Sequence, residues 1–259
     1  MARKVHPTAI VEPGAQLGDG VEVGAYAFVG SRVVLGDGCL VHHHGTVQGN
    51  AVLGAENEIF PFAMIGGKTQ DLKYRGGDPP LCIGDRNTFR EFVSVHCATF
   101  EEVATTIGND NHIFAYAHVA HECTLGNHII ISSQAVLGGH VQINSHANIG
   151  GASAVHQFCK IGAHAMLAGG SALVQDLPPY MIAEGNRARI RAYNKIGLQR
   201  NGFTEDEIAQ VRHLFRILYE NNLNVSDAIK AIDCETKVSE RIKRPVLDFY
   251  DTSLRGVVH

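Results

Sequence analysis

A chain of 259 residues, 45% hydrophobic and 19% charged, is long enough for one large domain or a domain with an appendage, and too apolar for disorder. Its 22 basic and 26 acidic residues leave a formal charge of -4, too weak a bias for general nucleic-acid binding, so no nucleic-acid partner is expected. No apolar run reaches the roughly 18 residues of a spanning helix, and the start MARKVHPTAIVEPGA has no secretory stretch, which predicts a cytoplasmic protein without membrane insertion.

From Val5, steps of six meet Val11, Leu17, Val23, Val29, Leu35, Val41, Val47, Leu53, Ile59 and Ile65 without a miss. The register resumes at Ile83, Phe89 and Val95, and runs from Ile107 to Leu173, broken only at Asp71, Gly77 and Glu101. Glycine follows twelve of these positions, as in LGDG at 35 to 38, and glycine tolerates tight bends. Four places after the aliphatic residue stands a mostly small one, such as Ala27, Cys39, Ala51, Ala117, Cys123 or Cys159. Each hexad therefore reads as a short strand with one large and one small inward side chain, then a corner. Three hexads per coil wind a parallel β-helix of about ten coils with an 18-residue repeat and coils roughly 4.8 Å apart.

Residues 67–82 and 97–106 interrupt the period and carry QDLKYRGGD and FEE; burying such charges in an aliphatic stack would cost several kcal/mol, so both should loop outward. The prism domain spans 1–185. Beyond the break at LPPY, residues 186–259 carry helical spacing, with Thr204 and Ser226 as N-caps, Glu207 completing a capping box, and Leu214, Ile217 and Leu218 as packing residues. Pro245 should shorten or bend the last helix. The six cysteines include no CxxC pair and read as reduced thiols, Cys123 and Cys159 as core.

Thirteen of the fifteen histidines lie between His6 and His164, most of them necessarily facing outward. His128, His146 and His164 should stack as a surface ladder; the adjacent His42, His43 and His44 diverge too much to favour a metal. A richer corner emerges from three columns spaced by eighteen: His121, Gly139 and Gln157; Ala120, Gly138 and His156; and Glu122, His140 and Phe158. Histidine is the usual general base near neutral pH, which makes His121 a candidate, and Gly139 offers a backbone N–H to an oxyanion. Glu122 could orient His121, although neighbouring side chains on a strand diverge. A base with an oxyanion donor suits acyl transfer to a hydroxyl. Further on, Arg187, Arg189, Arg191, Lys195, Arg200, Arg212 and Arg216 outweigh Glu205, Asp206 and Glu207, a local positive patch that suits either a solvated helix face or an anionic partner.

The segments NEIFPFAMIGG, TQDLKY, IGDRNTFRE, AHVAHECTLGN, LGGHV, SAVHQFCKIGAHAM, QDLPPYMIAEGN and IGLQRNGF resemble, nearly end to end, the acyl-carrier-protein-dependent UDP-N-acetylglucosamine O-acyltransferases of lipid A biosynthesis. The resemblance implies a left-handed β-helix followed by a small helical domain, a homotrimer with active sites between subunits, and no cofactor. It implies transfer of a 3-hydroxyacyl chain from acyl carrier protein to the 3-hydroxyl of UDP-N-acetylglucosamine. His121 would be the base and Gly139 the oxyanion donor; Gln70, Asp71, Lys73, His118, His140, His156 and Gln157 would contact substrate, Asn194 and Arg200 the nucleotide, and Gly169 would set acyl length. Glu122 replaces a common Asp; Arg187 and Ile196 replace residues seen near the sugar and nucleotide, leaving a 3-amino acceptor as an alternative; HCAT at 96 to 99 replaces HRGT. A different class, the hexapeptide zinc lyase of carbonic-anhydrase type, would need three converging imidazoles.

Overall fold

The computed structural model describes residues 2–259. Short strands, mostly of two residues, assemble into three sheets of 11, 9 and 8 strands that form the faces of a left-handed prism. This winding departs from the right-handed crossover usual for parallel strands. Pairing is parallel throughout except for the final hairpin, in which Met181–Glu184 runs against Arg189–Tyr193.

The strand register shows how the interruptions are accommodated. Val5 pairs with Val23 and Val23 with Val41, eighteen residues apart. Glu58 pairs with Thr88, thirty residues on, and Thr88 with His112, twenty-four on, so two hexads and then one are extruded as loops. Both loops are tighter than the sequence suggests. Gly67 and Pro80–Ile83 already belong to strands, because buried Leu81 pairs with Ala51 and returns the chain to the prism. Thr105 and Thr106 likewise rejoin it against Leu81 and Cys82.

The repeated aliphatic residues fill the interior, with Val29, Ile59, Ile65, Ile113, Ile131 and Leu167 fully buried, and the small residues Ala27, Cys39, Cys123 and Cys159 complete each layer. All six cysteines are free thiols. Apart from Gly66, the glycines after the aliphatic positions do something other than bend the chain. At Gly36 an added Cβ would stand 2.5 Å from the Gly54 carbonyl carbon, so glycine there lets successive coils approach. The bend falls two residues later and is borne largely by other residues, among them Tyr26, His44, Phe62, Glu122, His140 and Phe158, all with φ between 53° and 66°. Each such residue costs roughly 1–2 kcal/mol of backbone strain, offset by the burial that the winding secures.

One polar column runs inside the prism. Asn57, Asn87 and Asn111 take the small inward position and are fully buried. Asn87 Nδ2 donates to Asn57 Oδ1 and Asn111 Nδ2 to Asn87 Oδ1, both at 2.9 Å, while Asn111 Oδ1 accepts from the Ile129 N–H at 2.8 Å. Each amide also donates to a corner carbonyl, of Gly84, Gly108 or Gly126, so the ladder leaves none of its amide groups unpaired.

The expected boundary at 185/186 falls inside the final hairpin, and the helices begin at α1, Lys195–Arg200. Helix α2, Glu205–Tyr219, has the capping box of Thr204 and Glu207 and buries Leu214, Ile217 and Leu218. Helix α3, Val225–Asp233, is capped by Asn224 and not by Ser226, because the Asn224 side chain reaches the Asp227 N–H. Helix α4, Glu240–Asp251, runs through Pro245 over its full twelve residues. The C-terminal segment then returns to the prism: buried Asp176 exchanges backbone hydrogen bonds with Gly256 and Val258 and accepts from Ser253 Oγ at 2.7 Å.

Candidate active site

The corner of three columns forms as the eighteen-residue spacing predicts. The His140 N–H donates to the His121 carbonyl and the Phe158 N–H to the Gly139 carbonyl, each at 3.0 Å, which stacks residues 121 to 122, 139 to 140 and 157 to 158 on successive coils. The His121 ring lies against the Cα of Gly139: a Cβ added there would sit 2.5 Å from Cε1 and 2.7 Å from Nε2. Any other residue at 139 would displace the imidazole.

Glu122 does reach His121. Neighbouring side chains diverge along a flat strand, but Glu122 occupies the left-handed corner at φ 53°, which turns its carboxylate back toward the His121 ring. His121 Nδ1 hydrogen-bonds to Glu122 Oε2. The carboxylate is only 5% exposed and accepts from the Thr99 N–H at 2.5 Å and from the Thr99 hydroxyl at 3.3 Å. An ionised carboxylate can only accept, so Nδ1 carries the proton and Nε2 presents its lone pair outward. Among the described residues Nε2 has no hydrogen-bond partner, and the Gly139 N–H has no acceptor.

Two further imidazoles flank His121. His118 shares a 2.8 Å hydrogen bond with Ser94 Oγ and packs edge-on against His96 at 5.1 Å, and His96 Nδ1 meets the Lys68 carbonyl at 2.7 Å. Burial, helped by His96 and His121, pushes His118 down to about 4, and burial also lowers His96. His140 stacks on Phe158 at 4.5 Å and meets His121 edge-on at 5.5 Å; burial lowers it too, against the opposing pull of Glu122. The loop reaches the same place. Asp71 is held below the usual carboxylate range first by the Lys73 N–H, which donates to its Oδ1 at 2.9 Å, and then by the charges of His121, Lys73 and His140. Gln70 and Lys73 are exposed beside it.

Other expected residues lie elsewhere. His156 lines a cleft of about 690 Å³ with Gln175, Arg187, Arg189, Arg255 and His259, and Gln157 is exposed one coil above Gly139. Arg187, Arg189 and Arg255 form no ion pair among the described residues. Asn194 and Arg200 line a separate cleft with His128, His146 and Ile196. Asn194 is also structural there, capping α1 and donating to the His164 carbonyl at 2.9 Å. Gly169 stands above Gly151 on another edge, where an added Cβ would meet the Gly151 carbonyl oxygen at 3.2 Å. Of the basic patch, Arg187 and Arg189 thus line one cleft and Lys195 and Arg200 the other, while Arg191 pairs with Glu184 and Arg216 with Glu220. His128, His146 and His164 stack at 4.8 and 4.6 Å, the ladder expected of them.

Thr69, Thr99, Thr105 and Ser94 escaped the sequence reading, since hydroxyls at strand ends and loop bases carry no periodic signal. The Thr105 hydroxyl accepts from the Glu122 N–H at 2.8 Å. The one grouping of potential metal ligands among the described residues is His121, Glu122 and His140, with ligand atoms within 4.8 Å of one another. It suits a zinc lyase poorly, having two imidazoles in place of three and a carboxylate already engaged by Thr99 and His121.

The family pattern described as UDP N-acetylglucosamine O-acyltransferase, domain 2, matches residues 176–258, and that of the bacterial transferase hexapeptide matches 104–139. An acyl-[acyl-carrier-protein]--UDP-N-acetylglucosamine O-acyltransferase of Burkholderia lata is 45% identical over 259 residues, covering 98% of this chain and 99% of its own. The enzyme of the same name from Herminiimonas arsenicoxydans is 43% identical over 258 residues, covering 98% of each chain. Among solved structures, the UDP-N-acetylglucosamine acyltransferase of Bacteroides fragilis aligns with a TM-score of 0.95 at 33% identity, covering 98% of this chain and 99% of its own. That of Francisella novicida aligns with a TM-score of 0.94 at 33% identity, covering 98% and 93%.

Proposed function

Since this chain belongs to the UDP-N-acetylglucosamine O-acyltransferase family, we propose that it moves a 3-hydroxyacyl chain from acyl carrier protein to the 3-hydroxyl of UDP-N-acetylglucosamine, opening lipid A synthesis. The observation that carries this reading is the imidazole of His121, tied through Nδ1 to Glu122, with Nε2 beside the unshared Gly139 N–H. Nε2 takes the proton of the sugar hydroxyl as that oxygen attacks the thioester carbonyl. The Gly139 N–H stabilises the oxyanion of the tetrahedral intermediate, and Glu122 stabilises the imidazolium. Collapse of the intermediate breaks the C–S bond, and the carrier thiolate recovers the proton from His121. The neutral flanking histidines suit this sequence, because a cation at His118 would disfavour the imidazolium.

Asp71, Lys73, Gln70, His118 and His140 are placed to hold the sugar, and His156 and Gln157 to line the path above it. Asn194 and Arg200, proposed for the nucleotide, and Gly169, proposed for acyl length, lie on other edges of the same prism. A single site that draws on several edges of the prism needs a neighbouring copy, and we propose the homotrimer for that reason. No helix among the described residues is long and apolar enough to cross a membrane; a cytoplasmic setting is proposed because the carrier-bound donor and nucleotide sugar are water-soluble. Turnover of acyl carrier protein thioesters of several lengths with UDP-N-acetylglucosamine and its 3-amino analogue tests the assignment. His121→Ala should lower kcat by 10² to 10⁴ in a correctly sized assembly, and more than about a tenth of the wild-type rate would contradict the base.

A further inference from the structure

Two buried threonines lie between the substrate loop and the base, and the hydrogen-bond chain through them runs in one direction. Glu122 Oε2, which can only accept when ionised, receives the Thr99 hydroxyl at 3.3 Å. Having spent its proton, Thr99 Oγ1 must accept from Thr69 Oγ1, 2.9 Å away. Thr69 Oγ1 in turn accepts from the Asp71 N–H at 3.1 Å. The order is therefore Asp71 N–H to Thr69, Thr69 to Thr99, Thr99 to Glu122 Oε2, with His121 Nδ1 donating to the same oxygen. Thr69 and Thr99 are 7% and 2% exposed, so water does not compete for these bonds.

We propose that Thr69 and Thr99 are positioning residues that couple the order of the loop carrying Asp71 and Lys73 to the aim of His121. The far end of that loop is anchored independently: the Asp78 N–H donates to Glu101 at 2.6 Å, the Asp78 carbonyl accepts from Asn50 Nδ2 at 3.0 Å, and Arg32 pairs with the Asp78 carboxylate. At the near end, His96 holds the Lys68 carbonyl and Thr69 holds Asp71. The tip between is held by bonds within the loop, among them the Tyr74 N–H to the Asp71 carbonyl and Arg75 to the Leu72 carbonyl, and Leu72 at its apex is 92% exposed. A sugar that engages Asp71 and Lys73 therefore orders the segment whose amide begins the chain, and each hydroxyl passes that order to the next acceptor until Glu122 is fixed. A free loop leaves the Thr69 hydroxyl able to turn away, and the Thr99 hydroxyl then donates to Glu122 without the donor behind it that polarises and orients it.

This inference rests on the acyl-transfer reading, and the experiment separates the two. Initial rates are measured on the full-length protein for Thr69→Val, Thr99→Val, Thr99→Ser and the double valine variant, varying UDP-N-acetylglucosamine, with assembly size and Tm recorded. Thr99→Val should lower kcat by about tenfold or more, because a charge-assisted bond to the base's partner is lost. Thr69→Val should lower kcat and raise KM for the sugar nucleotide, and Thr99→Ser should restore kcat to within about threefold of wild type. The double variant should be no more than about twofold worse than the worse single one, as for links in one chain. Multiplying losses in the double variant, or a serine variant as poor as the valine one, would overturn the coupling. An exchange measurement that needs neither turnover nor the valine variants completes the test: Glu122→Gln should speed hydrogen exchange of the Asp71 amide at least about threefold, and unchanged exchange overturns the chain. If the wild-type protein does not turn over the sugar nucleotide, the acyl-transfer reading fails while the exchange result still decides the chain.

Discussion

Gly139→Ala isolates the geometry on which the proposed chemistry depends. The added methyl would lie 2.5 Å from His121 Cε1 and 2.7 Å from Nε2, whereas ordinary contact begins near 3.4 Å, so the ring must retreat by about 0.9 Å at Cε1. It has little room, since its side chain is only 13% exposed and wedged between the Glu122 carboxylate and the His140 ring. Retreat also pulls Nδ1 from Glu122. Alanine keeps the N–H at 139, and the backbone there lies outside the left-handed region, so neither the oxyanion donor nor the coil is otherwise disturbed. A misplacement near 1 Å at a reacting group costs on the order of 10²-fold, about 2.7 kcal/mol in the barrier. Steady-state kinetics should therefore show kcat falling roughly a hundredfold, with assembly size unchanged and Tm within a few degrees of wild type. Retention of more than a tenth of kcat at unchanged Tm would refute the claim that the ring is fixed against Gly139.

Glu122→Gln preserves shape but offers an NH₂ group where His121 Nδ1–H now donates, favouring the wrong tautomer; kcat should fall by about 10² or more while KM for the sugar nucleotide changes little, as initial rates will show. His164, like His118, is pushed down to about 4 by burial, whereas the unfolded chain takes up protons near 6.5. The unfolded state thus binds more protons between these values, so stability is full above about pH 6.5 and declines as pH falls toward 4. Thermal melts should show Tm dropping on acidification, and His164→Phe, which removes a buried Nδ1 that has no partner, should flatten that dependence. Asn87→Leu would strip the Asn111 N–H and Nδ2 of Asn87 Oδ1 and the Gly108 carbonyl of its donor inside the core, while Asn57 Oδ1 keeps the backbone N–H of residue 87; the expected loss is about 2–4 kcal/mol, read by denaturant titration.

The prism was legible because its determinant is linear. An aliphatic residue every sixth place has only one way to become a continuous core, and the eighteen-residue lap then follows from three faces. The same arithmetic predicted that His121, Gly139 and Gln157 would stack. What failed was local. Glycines such as Gly36 looked like bends, yet they permit close approach of coils, and the bends use left-handed Glu122, His140 and their counterparts. That error hid the Glu122 to His121 pairing, because the divergence of neighbours assumes an extended backbone and Glu122 is not extended. The asparagine ladder was unreadable for a related reason: one Asn per coil looks like an ordinary turn residue until the coils align.

The period of hydrophobic residues, a property of the chain read end to end, determined by itself the coil and the columns, including the one that stacks His121 under Gly139. Only the folded molecule decided which hydroxyls meet Glu122, how the Asp71 loop connects to it, and that Asn194, Arg200 and Gly169 stand on other edges of the prism. Periodicity places backbones in register through burial, which sums over many residues. A hydrogen bond depends on a few tenths of an ångström and one torsion, and those are set by packing from distant segments.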